Sequence, residues 1–314
     1  MLQAASGGII RIPRQPERSM STSRETHQQT ASAYTTLISV AQLQQAPADV
    51  FVVDCSHELS DAGAGGRDYA SGHIPGAIHL HLDRDLASLP NGSNGRHPLP
   101  DRTALADLLA RWGLRRDQQV VAYDRAQGPY AARLWWLLRW LGHNAVAVLD
   151  GGWQSWVAAG GAVQTPGPAP VQRGDFAPGP SLARFVNLDD IVANLQHHQR
   201  LLVDARSLQR YGGDGETLDP RAGHIPGAVC RFFRDNLTDD GHFKPALELR
   251  TEWLVLLGKR KPHEIVNQCG SGVSACHNIL ALEHAGLGGS ALYPGSWSEW
   301  CADPDRPMVR GTEP

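Results

Sequence analysis

Short apolar runs at 50–53, 119–123 and 145–149, and again at 200–203, 263–267 and 290–293, alternate with longer segments whose apolar positions recur every three or four residues. Runs of that length, apolar throughout, predict strands buried on both faces. The segments between them, such as DRTALADLLARWGL and AARLWWLLRWLGH, predict amphipathic helices. Strand and helix in alternation predict an α/β fold in which a mainly parallel sheet carries helices on both faces.

Three landmarks then repeat in the same order. GHIPGAI at 72–78 returns as GHIPGAV at 223–229, VFVVD ending at Asp54 returns as RLLVD ending at Asp204, and DGGWQSW at 150–156 is echoed by PGSWSEW at 294–300. Ordered repeats at domain spacing mark a tandem duplication. Between the copies, TPGPAPVQRGDFAPGPS (165–181) holds too much proline and glycine for a helix or strand and is expected to be an extended linker. The expected domains are therefore 34–164 and 182–314. Residues 1–33 show no apolar periodicity and read as a disordered leader, with Met20 as a second plausible start.

A chain of 314 residues suffices for two domains, each with its own core. A net charge of −3 and a pI near 6.5 give no global field for nucleic acid or an acidic membrane, so any anion affinity must be local. No apolar run approaches the roughly 20 residues of a membrane helix. The five cysteines are scattered, with no CxxC pair, which argues against a disulfide framework or zinc ribbon and points to a reducing, cytoplasmic setting.

Chemistry concentrates in NQCGSGVSACHN at 267–278. A strand predicted at HEIV (263–266) leads to Cys269, and a helix predicted from Ser274 carries Ala275, Ile279 and Leu282 on one face. In such sheets ligands bind beyond the carboxyl ends of strands. Gly270 and Gly272 permit backbone angles that turn successive N–H groups toward one point, an anion nest at a helix start. A thiolate is favoured there, and the thiolate is the attacking form. The alternative is a buried thiol beside an ordinary turn, the reading that suits Cys276 inside the helix.

The first copy provides an internal comparison, because VAYDRAQGPYAA places Asp124 where Cys269 stands. A carboxylate cannot act as the sulfur nucleophile, so one copy is expected to be active and the other supportive. Phosphate-ester chemistry on a cysteine loop would need an arginine six residues after the cysteine, and Ala275 stands there.

The two GHIPGA segments, CGSGVSA and the closing GSWSEW, set in tandem over about residues 34–310, together resemble the rhodanese superfamily and its two-domain thiosulfate and 3-mercaptopyruvate sulfurtransferases. The resemblance implies two rhodanese-like domains, the second catalytic. It implies a ping-pong reaction in which Cys269 takes a sulfane sulfur from a small anionic donor and holds it as a persulfide. The sulfur then passes to a thiophilic acceptor: cyanide, a thiol or a thioredoxin-like protein. No metal and no organic cofactor are implied.

CGSGVSA is similar to the CGSGVTA of mercaptopyruvate enzymes rather than the CRKGVTA of thiosulfate enzymes, so 3-mercaptopyruvate is the expected donor and thiosulfate the alternative. The likeness assigns the anion cradle to Gly270, Gly272, Val273 and Ser274. It assigns a proton-moving Ser-His-Asp set to Ser271, His97 of RHPLP and Asp83, ten residues after His73. It assigns the donor carboxylate to Arg210, six residues after Asp204, with Arg221 nearest to a second arginine position. A reading from another class is a non-enzymatic persulfide carrier or docking module.

Asp54, Asp204, His73 and His224 recur in both copies although one copy lacks the cysteine, which assigns them to turns and strand ends. Trp297 and Trp300 could line a pocket or fill the core, as Trp153 and Trp156 do in the other copy.

Overall fold

The computed structural model describes residues 33–165, 167 and 171–314. The leader expected at 1–33 lies, except for its last residue, outside the described residues, as do positions 166 and 168–170 of the linker. The described linker residues from 171 to 181 form no regular element. They run along the first domain, where the Gly174, Phe176 and Gly179 amides donate to the carbonyls of Ala110, Leu114 and Leu141.

Each copy builds one five-stranded parallel sheet. The first contains β1 (Leu37–Ile38), β2 (Phe51–Asp54), β3 (Ile78–His79), β4 (Val120–Tyr123) and β5 (Val146–Leu149), in the order β1-β5-β4-β2-β3. The second contains β6 (Arg184–Phe185), β7 (Leu201–Asp204), β8 (Ala228–Cys230), β9 (Ile265–Gln268) and β10 (Ala291–Leu292), in the order β6-β10-β9-β7-β8. The runs predicted as strands are the three inner strands of each sheet. The edge strands β1, β3, β6 and β8 are only two or three residues long, too short to show a period. The strand expected from residue 263 begins instead at Ile265, because Pro262–Glu264 forms a 3₁₀ turn in which Glu264 accepts the Lys261 amide.

The central strands β4 and β9 are buried at every residue. Each leads through a short loop into a helix, Pro129–Trp140 in the first copy and Ser274–His284 in the second. Proline at the first helical position, following Gly128 at φ 99°, starts the first of these. The two helices pack on each other, so one apolar cluster continues from Trp135 and Trp136 into Ile279 and Leu280. Both tryptophans are fully buried, each stabilising the joined core by roughly 3 kcal/mol. The domains thus meet at the two helices that follow the two equivalent loops.

The repeated residues hold equivalent turns. Asp54 accepts the Ser56 amide and Asp204 the Arg206 amide. His73 bonds the Tyr69 carbonyl through Nδ1 and stacks on that ring at 3.9 Å; His224 does the same with Tyr211 at 3.8 Å. Trp297 and Trp300 are fully buried in the core of the second domain.

Candidate active site

Cys269 directly follows β9 and lies in the floor of a cavity of about 400 Å³ between the domains. The GSWSEW segment fixes its backbone. The Cys269 amide donates to Ser296 Oγ at 3.1 Å, while the Cys269 and Gly270 carbonyls accept from the Trp297 and Ser298 amides. Beyond that anchor, the amides of Gly270, Ser271, Gly272 and Val273 find no protein acceptor among the described residues. Gly270, Ser271, Val273 and Ser274 face the cavity. Gly272 does not; it makes the turn at φ 75°, where a Cβ would lie 2.4 Å from the Pro294 carbonyl oxygen. A larger residue there would push the loop off its support.

The first domain shows what such a loop holds when a carboxylate replaces the thiol. Asp124 Oδ1 accepts the amides of Ala126 and Gly128 at 2.8 Å, and Oδ2 accepts those of Tyr130 and Ala131 at 2.9 Å. The residue fills its own nest, the four N–H bonds opposing the upward push of burial on its pKa. Trp153 donates to the Asp124 carbonyl as Trp297 does to that of Cys269, so the two loops are built alike and differ in whether their donors are spent.

Ser271, His97 and Asp83, far apart in sequence, come together. His97 Nδ1 lies 2.7 Å from Ser271 Oγ and Nε2 lies 3.1 Å from Asp83 Oδ1. A carboxylate only accepts, so the Nε2 proton belongs to the Asp83 bond and Nδ1 accepts the Ser271 hydroxyl. Burial, with Arg133 and Arg96 nearby, lowers the His97 pKa to about 4 against the opposing pull of Asp83. The ring is a neutral proton acceptor at physiological pH. The first domain delivers it to the second: the Arg96 amide donates to Ser298 Oγ at 3.0 Å.

Sequence reasoning missed Arg133, which braces this junction. From the Pro129–Trp140 helix it donates to the Gly272 carbonyl at 3.1 Å and to the carbonyls of Leu86, His97 and Pro98. Its signal was an arginine within the helical pattern AARLWWLLRW, where full burial is rare without partners. Arg133 and Arg206 also bring positive charge within Coulomb range of Cys269, the environment that a thiolate requires.

Arg210 faces the cavity, as do Arg96, Arg206 and Arg234. Arg210 is held by Glu216 at 2.8 Å and by Asp219 at 3.4 Å, and Arg96 shares Asp219. A Cβ on Gly270 would point at the Arg96 and Arg210 guanidinium groups, 3.0 and 3.5 Å away. Arg221 must be corrected: it is absent from the cavity wall. Its guanidinium donates to the carbonyls of Asp303 and Arg306, where it ties down the C-terminal segment. Arg96, adjacent to His97, and Arg206, paired to Asp204 at 2.7 Å, stand in the wall instead.

The buried histidines give the site an acid limit. Burial lowers His97 to about 4 and His277 to about 3, whereas the unfolded chain protonates histidine near 6.5. Both pKa values are depressed in the folded state, so their contribution to stability is present above about pH 6.5 and lost as pH falls toward 4. Each adds a slope of about 1.4 kcal/mol per pH unit. Urea midpoints measured at pH 7 and pH 5 are expected to fall accordingly. Equal midpoints would contradict neutral burial of these rings.

The family model for the rhodanese-like domain matches residues 37–159 and 187–303. A Pseudomonas aeruginosa protein named probable 3-mercaptopyruvate sulfurtransferase is 48% identical, over 84% of this chain and 93% of its own length. Bovine thiosulfate sulfurtransferase is 33% identical, over 79% of this chain and 84% of its own. A solved structure of 3-mercaptopyruvate sulfurtransferase from Leishmania major aligns with a TM-score of 0.75 at 30% identity, covering 85% of this chain and 74% of that one.

Proposed function

This chain belongs to the rhodanese family, whose domain it carries twice in tandem, and from that premise we propose that it is a 3-mercaptopyruvate sulfurtransferase acting through Cys269. The observation that carries the choice of donor is the Ser271–His97–Asp83 chain reaching the cysteine loop. The Cys269 thiolate attacks the donor sulfur, the new S–S bond forms and the C–S bond breaks, leaving its electron pair on the former CH2 carbon. One proton leaves the donor thiol and one arrives at that carbon, giving pyruvate and a Cys269 persulfide anion. Ser271 passes this proton, with neutral His97 as its temporary store and Asp83 holding the ring. The amides of Gly270, Ser271, Val273 and Ser274 hold the anion, on the turn that Gly272 makes.

In the second half-reaction an acceptor thiol or cyanide attacks the outer sulfur and the Cys269 thiolate leaves. Thioredoxin-like proteins offer a thiol of the same kind for this step. We place this reaction in the cytoplasm, on the strength of five free, unpaired cysteines. No helix among the described residues is long and apolar enough to cross a membrane.

Thiosulfate is the second reading, favoured by four arginines in the cavity wall. Their charge is largely committed: Arg206 to Asp204, Arg210 to Glu216, and Arg96 to Asp219. A dianion therefore finds less unpaired charge than the count of arginines suggests, and its sulfite leaves without the proton that the relay supplies. Turnover with each donor, combined with mass spectrometry of the Cys269 peptide for one added sulfur atom, separates the readings. Turnover with thiosulfate alone would sink the donor assignment, and no adduct from either would sink the sulfurtransferase.

Arg210 is the donor's carboxylate partner in this reading. Arg210→Lys keeps the charge but loses the planar fork, so the KM for mercaptopyruvate is expected to rise about tenfold while kcat changes little. Steady-state kinetics decide the point; an unchanged KM would move the carboxylate to Arg96 or Arg234.

A further inference from the structure

The cavity is larger than its donor needs. At about 400 Å³ it falls in the range that holds drug-sized ligands, whereas 3-mercaptopyruvate is a three-carbon acid. The cysteine loop and its arginines occupy one side: a Cβ on Gly270 would point at Arg96 and Arg210, and Arg206 lies within Coulomb range of Cys269. Elsewhere the wall is largely apolar, with Tyr130, Phe232 and Phe233, and carries two further charges. These are Glu58, on the loop after β2, and Arg234, in the 3₁₀ turn Phe233–Asn236. We infer that Glu58 and Arg234 form the acceptor's subsite and select a small zwitterionic thiol, its ammonium meeting Glu58 and its carboxylate meeting Arg234, a role that presupposes the sulfurtransferase reaction.

Pairing separates these two charges from the others in the wall. Arg96 is tied to Asp219, Arg206 to Asp204 and Arg210 to Glu216. Glu58 Oε1 accepts only the amide and hydroxyl of its neighbour Ser60, at 3.3 and 3.1 Å. The Arg234 guanidinium lies 5.7 Å from the centre of the Phe233 ring, a contact that holds the cation without neutralising it. Among the described residues neither Glu58 nor Arg234 forms an ion pair, with the other or with any third side chain. One unpaired charge of each sign, one from each domain, therefore faces a single cavity. A ligand bearing both charges complements that pair, whereas a purely anionic thiol meets repulsion from Glu58 and a purely cationic one from Arg234.

The reaction served is the discharge of the persulfide. The acceptor sulfur bonds to the outer sulfur of the Cys269 persulfide anion as the bond from that sulfur to Cys269 breaks. The thiol proton passes to the transferred sulfur and Cys269 leaves as its thiolate, so the products are the acceptor's persulfide and the starting enzyme, with no net oxidation. Glu58 and Arg234 touch the acceptor and not the reacting sulfurs. Both are exposed, so each contact has the strength of a partly solvated ion pair, enough to rank acceptors and too little to trap the product.

The test loads the full chain with one sulfur from mercaptopyruvate or thiosulfate, verifies the adduct by mass, and follows its loss to subsaturating thiols. Cysteine and glutathione are the zwitterionic probes, 2-mercaptoethanol the neutral one and mercaptosuccinate the dianionic one. Each thiol is compared with itself across variants, so differences in thiol acidity cancel. Glu58→Gln and, separately, Arg234→Gln should slow discharge to a zwitterionic thiol about fivefold and change discharge to mercaptoethanol by less than about twofold. Sensitivity of cysteine alone assigns the free amino acid, and of glutathione alone the peptide. Glu58→Lys should speed discharge to mercaptosuccinate about fivefold, a gain that damage to the fold would not produce. Equal slowing with neutral and zwitterionic thiols, or no slowing with either, overturns the subsite. Slower loading of Arg234→Gln in place of slower discharge gives that arginine to the donor and overturns the pairing. Failure of the wild-type chain to load at all sinks the sulfurtransferase and the subsite together, whereas loading followed by discharge blind to charge sinks the subsite alone.

Discussion

Cys269→Ser abolishes turnover with mercaptopyruvate and with thiosulfate alike, by about 10,000-fold or more, and leaves no sulfur adduct on the 269 peptide. The scale is that of removing the nucleophile from a covalent mechanism. A serine hydroxyl is a far weaker nucleophile than a cysteine sulfur, and oxygen cannot carry the sulfane sulfur. The loop itself should survive, because Ser296, Trp297 and Ser298 hold it through backbone groups that the substitution does not touch. Thermal unfolding of the variant should therefore match wild type within a few degrees. The first domain shows why the rest of the chain offers no substitute: the Asp124 carboxylate occupies its own nest. Cys276 is fully buried, which pushes its thiol up to about 12, so it remains protonated. Residual turnover with an adduct on Cys276 would refute this assignment.

The inner strands and the cysteine loop were legible because their signals are local. A continuous apolar run, a cysteine at its end and two glycines before a helix lie within a dozen residues. The edge strands were not, since two residues paired to a distant strand carry no period of their own. The relay was reached only through family likeness: Ser271 and His97 are 174 positions apart, and no spacing rule joins them. Arg221 was misplaced for a related reason. It lies in the irregular segment before GHIPGA, where no helix or strand period says which way a side chain leaves. Arg96, beside His97, reaches the same cavity from the other domain.

The same interdomain contact yields the second large effect, which divides the two donors. With mercaptopyruvate, breaking the C–S bond leaves charge on carbon and demands a proton. With thiosulfate, sulfite departs as a stable anion and demands none. Ser271→Ala is therefore expected to lower kcat/KM for mercaptopyruvate by about 100- to 1,000-fold, the range of a lost general acid–base group, while thiosulfate turnover stays within about threefold. His97→Asn should follow the same split. Because His97 sits near 4, its neutral form prevails from pH 5 to 9, and no acid limb from this ring is expected in that range. Asp83→Asn removes the charge that raises the His97 pKa, so any limb moves further toward acid rather than up into the assay range. The loss in that variant would come from the amide's failure to hold the Nε2–H tautomer. Measuring kcat/KM with both donors across pH 5 to 9 resolves the matter. Equal losses with both donors would reduce Ser271 to a structural member of the loop, whereas a selective loss makes it the residue that sets donor choice.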